Sequence, residues 1–354
     1  MSSKKFIGFI LIFSFVMGGL IGIINWVIDP FQQYRVDTFY PISYDTDKQR
    51  YKNGGFAKNF SYDSLILGTS MTENFILSEV EEELNFKKAI KLSISGGSAK
   101  EQSITLGTAI TNNKNLKNVL WGLDTFVFFG EEDNLAYGEG SFPFYLYDSN
   151  YFNDYEYLLS INTLKASWEA LVNPHLINDK VIYDQNRMYQ WQHNFPNSFT
   201  QENVQNAWDN REEFLNFEED KQTFLYMRNS FDTNFLQIIK NNPQIHFKVF
   251  FPPYSILVFK VFEEREQMID VLEFKKYVYH CLLECKNVTL YDFQTTSKTT
   301  TNLDNYKDLT HYHQKINTWI LEQIKVKKYL VTKENIDQHL QNLRDQIQAY
   351  NLKE

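Results

Sequence analysis

Short apolar runs that stop at small residues limit what this chain can fold into more narrowly than any other feature. Ser64–Leu67 ends in Gly68-Thr69-Ser70, Ala89–Ile94 ends in Ser95-Gly96-Gly97-Ser98, and Val119–Leu123 ends in Asp124-Thr125. An almost wholly apolar run reads as a strand buried on both faces, which requires helices on both sides and hence parallel pairing through crossovers. Helical spacing follows the first run from Met71 to Asn85 and the second from Ala99 to Asn112, with Ser70 or Thr72 placed to cap the first helix. Two later runs, Ile245–Phe251 closed by Pro252-Pro253 and Val288–Phe293, are preceded by helical patterns at Phe231–Lys240 and Glu263–Cys285. The expected fold over 63–330 is α/β: a flavodoxin-like three-layer sandwich on a five-stranded parallel sheet.

Before that domain, Phe6–Ile28 carries no charged side chain and as a helix spans roughly 35 Å, enough to cross a bilayer. Lys4 and Lys5 precede it and Asp29 follows, so residues 1–5 are expected in the cytoplasm, 6–28 as a transmembrane anchor and the rest outside. A cleaved signal peptide would have a shorter apolar run and a small-x-small site near its end. Residues 29–62, polar and aromatic with Pro41, Gly54 and Gly55 as breakers, read as a stalk. Between about 130 and 225 periodicity fails and aromatics crowd, as in Tyr189-Gln190-Trp191-Gln192-His193-Asn194-Phe195, with one helix expected near Tyr155–Val172. An insertion of this size reads as a lid or substrate-facing subdomain. The tail, 331–354, spaces Ile336, Leu340, Leu343, Ile347 and Tyr350 as one apolar seam, which predicts an amphipathic helix packed on the domain or a partner.

With 30 Phe, 22 Tyr and 6 Trp, aromatics make up 16% of the chain, more than one core uses, so some are expected to line a groove; sugars are commonly held on such rings. A net charge of -9 without a basic patch argues against nucleic acid. Cys281 and Cys285 share a helical face without metal-ligating neighbours and read as core thiols.

Ser70 falls at a strand-to-helix turn, where helix N–H groups can face a developing negative charge. A hydroxyl needs a base to attack at neutral pH, and Asp308-Leu309-Thr310-His311 supplies an imidazole with a carboxylate three residues before it. His313 and Asp304 compete for these roles, but His313 is expected to point elsewhere. Ser70, Gly96 and Gly97 are the expected backbone donors to an oxyanion.

In this order, Gly68-Thr69-Ser70, Gly96-Gly97, Gly122-Leu123-Asp124 and Asp308-x-x-His311 resemble the blocks of the SGNH, or GDSL-like, hydrolase superfamily. The resemblance spans approximately Ser61 to Lys327. Within the superfamily it looks most like the membrane-anchored extracytoplasmic branch of teichoic acid D-alanylation and alginate O-acetylation proteins. It implies Ser70 as nucleophile, His311 as base and Asp308 as its orienter. The implied enzyme is an esterase or acyltransferase for acetyl or D-alanyl groups on a cell-envelope glycopolymer, with a possible membrane acyltransferase partner and no metal or organic cofactor. The alternative is a non-catalytic envelope assembly factor of the same fold that binds a polymer or a membrane partner. The family's third block presents an asparagine to the oxyanion, whereas this chain has Asp124. An ionised carboxylate repels an oxyanion, so Asp124 must be protonated, turned away or otherwise engaged, with Thr125 as a substitute donor.

Overall fold

Five parallel strands in the order β2-β1-β3-β4-β5 carry the domain: β1 (Ser64–Leu67), β2 (Ala89–Lys91), β3 (Asn118–Gly122), β4 (His246–Phe251) and β5 (Val288–Asp292). The protein is described by a computed structural model that covers residues 3–36, 38–172, 174, 181–214 and 224–351. Residues 1–2 of the expected cytoplasmic terminus, residue 37, parts of the expected insertion (173, 175–180 and 215–223) and residues 352–354 of the tail lie outside this description. The architecture is mixed α/β, with one long apolar helix at the N-terminus, α1 (Ser3–Ile28).

β1 is buried at all four positions and lies between β2 and β3, with Ser64 in register with both Ala89 and Asn118. Branched and aliphatic side chains filling both faces of a central strand are what makes it central. Because β1 is followed by β2 on one side and β3 by β4 on the other, the chain leaves the sheet in opposite directions after β1 and β3. In open α/β sheets the crevice at such a switch point is where ligands sit.

Residues 29–62 are not a stalk. They contain α2 (Gln49–Asn59), of which Gln49 and Lys52 to Ala57 are buried. The glycines that read as breakers are interior helix positions. A Cβ on Gly54 would collide with the Leu146 carbonyl, and one on Gly55 with the carbonyls of Phe31 and Gln32, so glycine is what lets the backbones approach. Asp29, fully buried, accepts from the N–H groups of Gln33 (2.9 Å), Tyr34 (2.8 Å) and Arg35 (3.1 Å) and from the Tyr157 hydroxyl (2.9 Å), locking the exit of α1 onto the domain.

The helix expected from Met71 to Asn85 is two helices, α3 (Ser70–Glu73) and α4 (Leu77–Leu84). Tertiary contacts break it: the Asn74 Oδ1 accepts from the N–H groups of Trp191 and Gln192, both at 3.1 Å. Lys91 of β2, fully buried, directs its ammonium at the carbonyls of Glu73, Phe75 and Met188, the last at 2.6 Å. Three acceptors match the three N–H donors of an ammonium. Lys91→Met is expected to cost about 3–5 kcal/mol, because three buried carbonyls lose their partner. A fall of the urea midpoint with an unchanged slope checks this.

After β2, α5 (Ala99–Asn112) matches the helix expected there and opens on a capping box between Ser98 and Glu101. Trp121 of β3 donates to the Gln102 Oε1 of α5 (2.9 Å) and stacks on Phe235 at 3.8 Å. The expected helix at 155–172 is divided into α6 (Tyr155–Leu158) and α7 (Ile161–Val172). The one expected over Glu263–Cys285 is also two, Ile256–Glu264 and Met268–Leu283, with Glu266 at φ 57 between them. The stretch from Met188 to Trp191 is not a loose loop. Met188 and Tyr189 are fully buried, and the Tyr189 hydroxyl donates to Asn53 of α2 at 2.7 Å. At the C-terminus the seam of Ile336, Leu340, Leu343 and Ile347 is buried against the domain along the helix Ile336–Ala349. Cys281 and Cys285 are free thiols, the second buried.

Candidate active site

Ser70 owes its freedom to its neighbour. Thr69, not Ser70 or Thr72, is the N-cap of α3, its hydroxyl accepting from the Met71 N–H at 3.3 Å. With the cap supplied by Thr69, Ser70 occupies the first helical position. Its Oγ lies 2.8 Å from the His311 Nε2. The opposite ring nitrogen, Nδ1, is 2.8 Å and 3.0 Å from the two carboxylate oxygens of Asp308. The three residues named from sequence thus meet in one hydrogen-bonded chain, although 241 positions separate Ser70 from His311.

The Asp308 carboxylate is held rigidly. Its Oδ1 accepts from the N–H groups of Thr310 (2.9 Å) and His311 (2.8 Å), and the Lys307 ammonium is 2.6 Å from Oδ2. Burial pushes this carboxyl up, but His311, Lys307 and the N–H donors together outweigh it and hold it well below the usual carboxylate range. An ionised Asp308 on Nδ1 fixes the proton there and leaves Nε2 as the acceptor facing Ser70.

The competing residues are engaged elsewhere. His313 caps the helix Gln314–Lys325, its Nδ1 accepting from the Lys315 N–H. Asp304 accepts from the Gln201 N–H at 2.9 Å. Neither has a bond to Ser70 among the described residues.

Among the expected oxyanion donors the structure divides. The N–H groups of Ser70 and Gly96 have no hydrogen-bond partner among the described residues, and the two lie beyond the ends of the adjacent strands β1 and β2. Gly96 is exposed, at φ 57, the left-handed region that favours glycine. The Gly97 N–H is already bonded to the Ile94 carbonyl at 2.8 Å, and the Thr125 N–H to the Tyr254 hydroxyl at 2.9 Å, so neither backbone group is free for a substrate. Asp124 is turned toward Thr69, whose hydroxyl donates to its Oδ2 at 2.6 Å. Its Oδ1 is closed off from solvent and has no partner among the described residues. Burial pushes this carboxyl up to about 6, against the Thr69 bond and His311. Asp124 therefore reaches the site through its charge and through the Thr69 cap, not through a hydrogen bond to substrate.

Sequence reasoning missed the residues that brace the constellation. Gln49 of α2 joins its two halves: its Nε2 donates to Glu73 of α3 and its Oε1 accepts from the Ser95 N–H, both at 2.8 Å. Arg50 pairs with Glu101 at 2.9 Å and donates to the Ser95 carbonyl. The insertion contributes Trp191, whose Nε1 donates to the Ser70 carbonyl at 2.9 Å while its ring meets His311 edge-on at 5.5 Å. Lys307 lies over the rings of Trp191 and Phe195. Lys307 was legible as the neighbour of Asp308. Nothing local marked Gln49 or singled out Trp191 among its aromatic neighbours.

A cleft of about 770 Å³ includes this aromatic wall, its lining taking in Trp191, Asn194 and Phe195 together with Pro30, Phe31 and Tyr40. Compared with known proteins, the chain matches no family model, and no curated protein matches it in sequence.

Proposed function

We propose that the chain is a membrane-anchored, extracytoplasmic serine esterase or acyltransferase of the SGNH type, built on a flavodoxin-like three-layer sandwich. It acts on acetyl or D-alanyl groups of a cell-envelope glycopolymer. The observation that carries this reading is the hydrogen-bonded chain from Ser70 through His311 to Asp308, set where the sheet order switches. The strand order 2-1-3-4-5 is that of flavodoxin-like sheets. The anchor reading is supported by α1, whose most apolar window is entirely unburied, and by Asp29, which ties its end into the domain. The two lysines before the apolar run favour a cytoplasmic N-terminus.

In this mechanism Nε2 of His311 takes the Ser70 proton as Oγ attacks the ester carbonyl. The N–H groups of Ser70 and Gly96 receive the oxyanion. Collapse returns the proton to the departing alcohol and leaves an acyl-Ser70, which a water or a sugar hydroxyl then releases by the same steps in reverse. Trp191 and Phe195 give the cleft aromatic faces against which a sugar ring packs.

A non-catalytic role in binding a polymer or a membrane partner is favoured by one observation, the buried carboxyl of Asp124 where the family pattern has an amide. Labelling of the full chain with a fluorophosphonate separates the two readings. The enzyme reading predicts a covalent adduct in wild type and none in Ser70→Ala; an unlabelled, folded wild type supports the binding role instead.

A further inference from the structure

The helix α7 has its polarity inverted. Thr163, Ala166 and Ser167, small or hydroxylated, form its buried side, whereas Ile161 is 74% exposed and Trp168 68% exposed. A helix facing water buries its apolar stripe, because removing such side chains from water is favourable. Here Ile161, Leu164, Trp168 and Leu171 recur at helical spacing along the outward side.

This stripe continues the surface of α1. Together with Ile24 and Ile28 it lines an almost wholly apolar groove of about 470 Å³. The junction between the helices is fixed by polar bonds at the last turns of α1: Asn25, fully buried, donates to the carbonyls of Leu158 (2.8 Å) and Ser160 (3.1 Å) and accepts from the Ser167 hydroxyl (3.0 Å). This asparagine, near the end of a long apolar run, is thereby satisfied by the segment from the end of α6 into α7. Leu159, between α6 and α7, is 51% exposed and lies where a Cβ added to Gly22 of α1 would meet it at 3.5 Å. Trp26 on α1, like Trp168 on α7, is exposed near the domain end of the anchor, the depth at which tryptophan collects in membranes.

We propose that α7 is a second membrane-contacting element, lying in the interfacial layer on the domain side of α1 with Ile161, Leu164, Trp168 and Leu171 against lipid acyl chains. The occupant is lipid because the stripe is continuous with α1, the surface that already requires a bilayer, and the groove between them is bounded by both helices. The opposite wall of α7 has a second consequence. Ala166, Glu169 and Ala170 line the same cleft as Trp191 and Phe195, so the bilayer surface bounds that cleft. The site then takes substrates presented at the membrane surface rather than from bulk solvent. This rests on reading α1 as a membrane anchor.

The test uses the full chain in phosphatidylcholine–phosphatidylglycerol liposomes. A bimane label is placed at Trp168→Cys or Ile161→Cys, with Cys281 and Cys285 replaced by alanine and the fold checked by circular dichroism. Flotation with the liposomes reports α1 separately. An interfacial helix sinks about 5–10 Å into the headgroup boundary, so lipids spin-labelled near the headgroup should quench both labels roughly two-fold, with little effect of aqueous iodide. A label at Gln338→Cys on the C-terminal helix serves as the aqueous control. If the protein floats but iodide quenches both labels, α7 faces water and the proposal fails while the anchor stands. If neither quencher reaches them, a protein surface covers α7 and the lipid proposal is likewise overturned.

Discussion

Asp308→Asn is expected to lower the rate at which Ser70 is acylated by about 10⁴-fold while leaving the fold intact. The two oxygens of Asp308 face the His311 Nδ1 and accept from two backbone N–H groups and Lys307. An amide offers one acceptor and one N–H donor. If its oxygen keeps the backbone N–H groups, its NH₂ faces Nδ1, which must then accept. The ring proton moves to Nε2, 2.8 Å from the Ser70 Oγ, and the base becomes a donor. Because Asp308 is held well below the usual carboxylate range, it stays ionised across the working pH range. The acid limb of the pH profile therefore does not come from Asp308. Second-order labelling rates with a fluorophosphonate measure the effect; a loss below about ten-fold would mean that Asp308 does not set the tautomer.

Asp124→Asn is expected to raise the labelling rate, and to raise it more as pH increases. The wild-type carboxyl, pushed up to about 6 by burial, is protonated below that pH and charged above it. The charged form places a negative charge, shielded from water, beside the Thr69 cap and in the field of His311, where an oxyanion must form. Asparagine keeps an acceptor for the Thr69 hydroxyl and never ionises. The ratio of variant to wild-type rates should be near one at acidic pH and climb to the order of ten- to a hundred-fold in mildly alkaline buffer. A ratio that stays flat across pH 6 would mean that Asp124 is electrically silent in the reaction. The same sign applies to stability: a carboxyl raised by folding contributes stability that is complete below its unfolded pKa and is lost as pH rises through about 6.

The strand ends and the residues that meet at them were legible because their signals are local. Leu65–Leu67 is apolar throughout, Gly68 stops it, and Asp308 and His311 are separated by one helical turn's worth of chain. What failed to show were features decided by distant partners. The break at Asn74 depends on Trp191, Gln192 and the Lys91 ammonium, all from other elements. Gly54 and Gly55 look like helix breakers until the carbonyls packed against them are known. Gln49 has no local mark of its place between Glu73 and Ser95. The cap was assigned to Ser70 or Thr72 and falls on Thr69, a small shift in sequence that decides whether the Ser70 hydroxyl is spent on the backbone or left for His311.

The central claim is that Ser70 is an activated nucleophile that carries an acyl group. The direct measurement is the mass of the full chain, in detergent, quenched in acid seconds after mixing with 4-nitrophenyl acetate, followed by digestion and sequencing of the modified peptide. The account predicts one acetyl group on the peptide containing Ser70, absent from Ser70→Ala and strongly reduced in Asp308→Asn. A folded wild-type protein that acquires no acetyl group, or acquires it equally in Ser70→Ala, would contradict it.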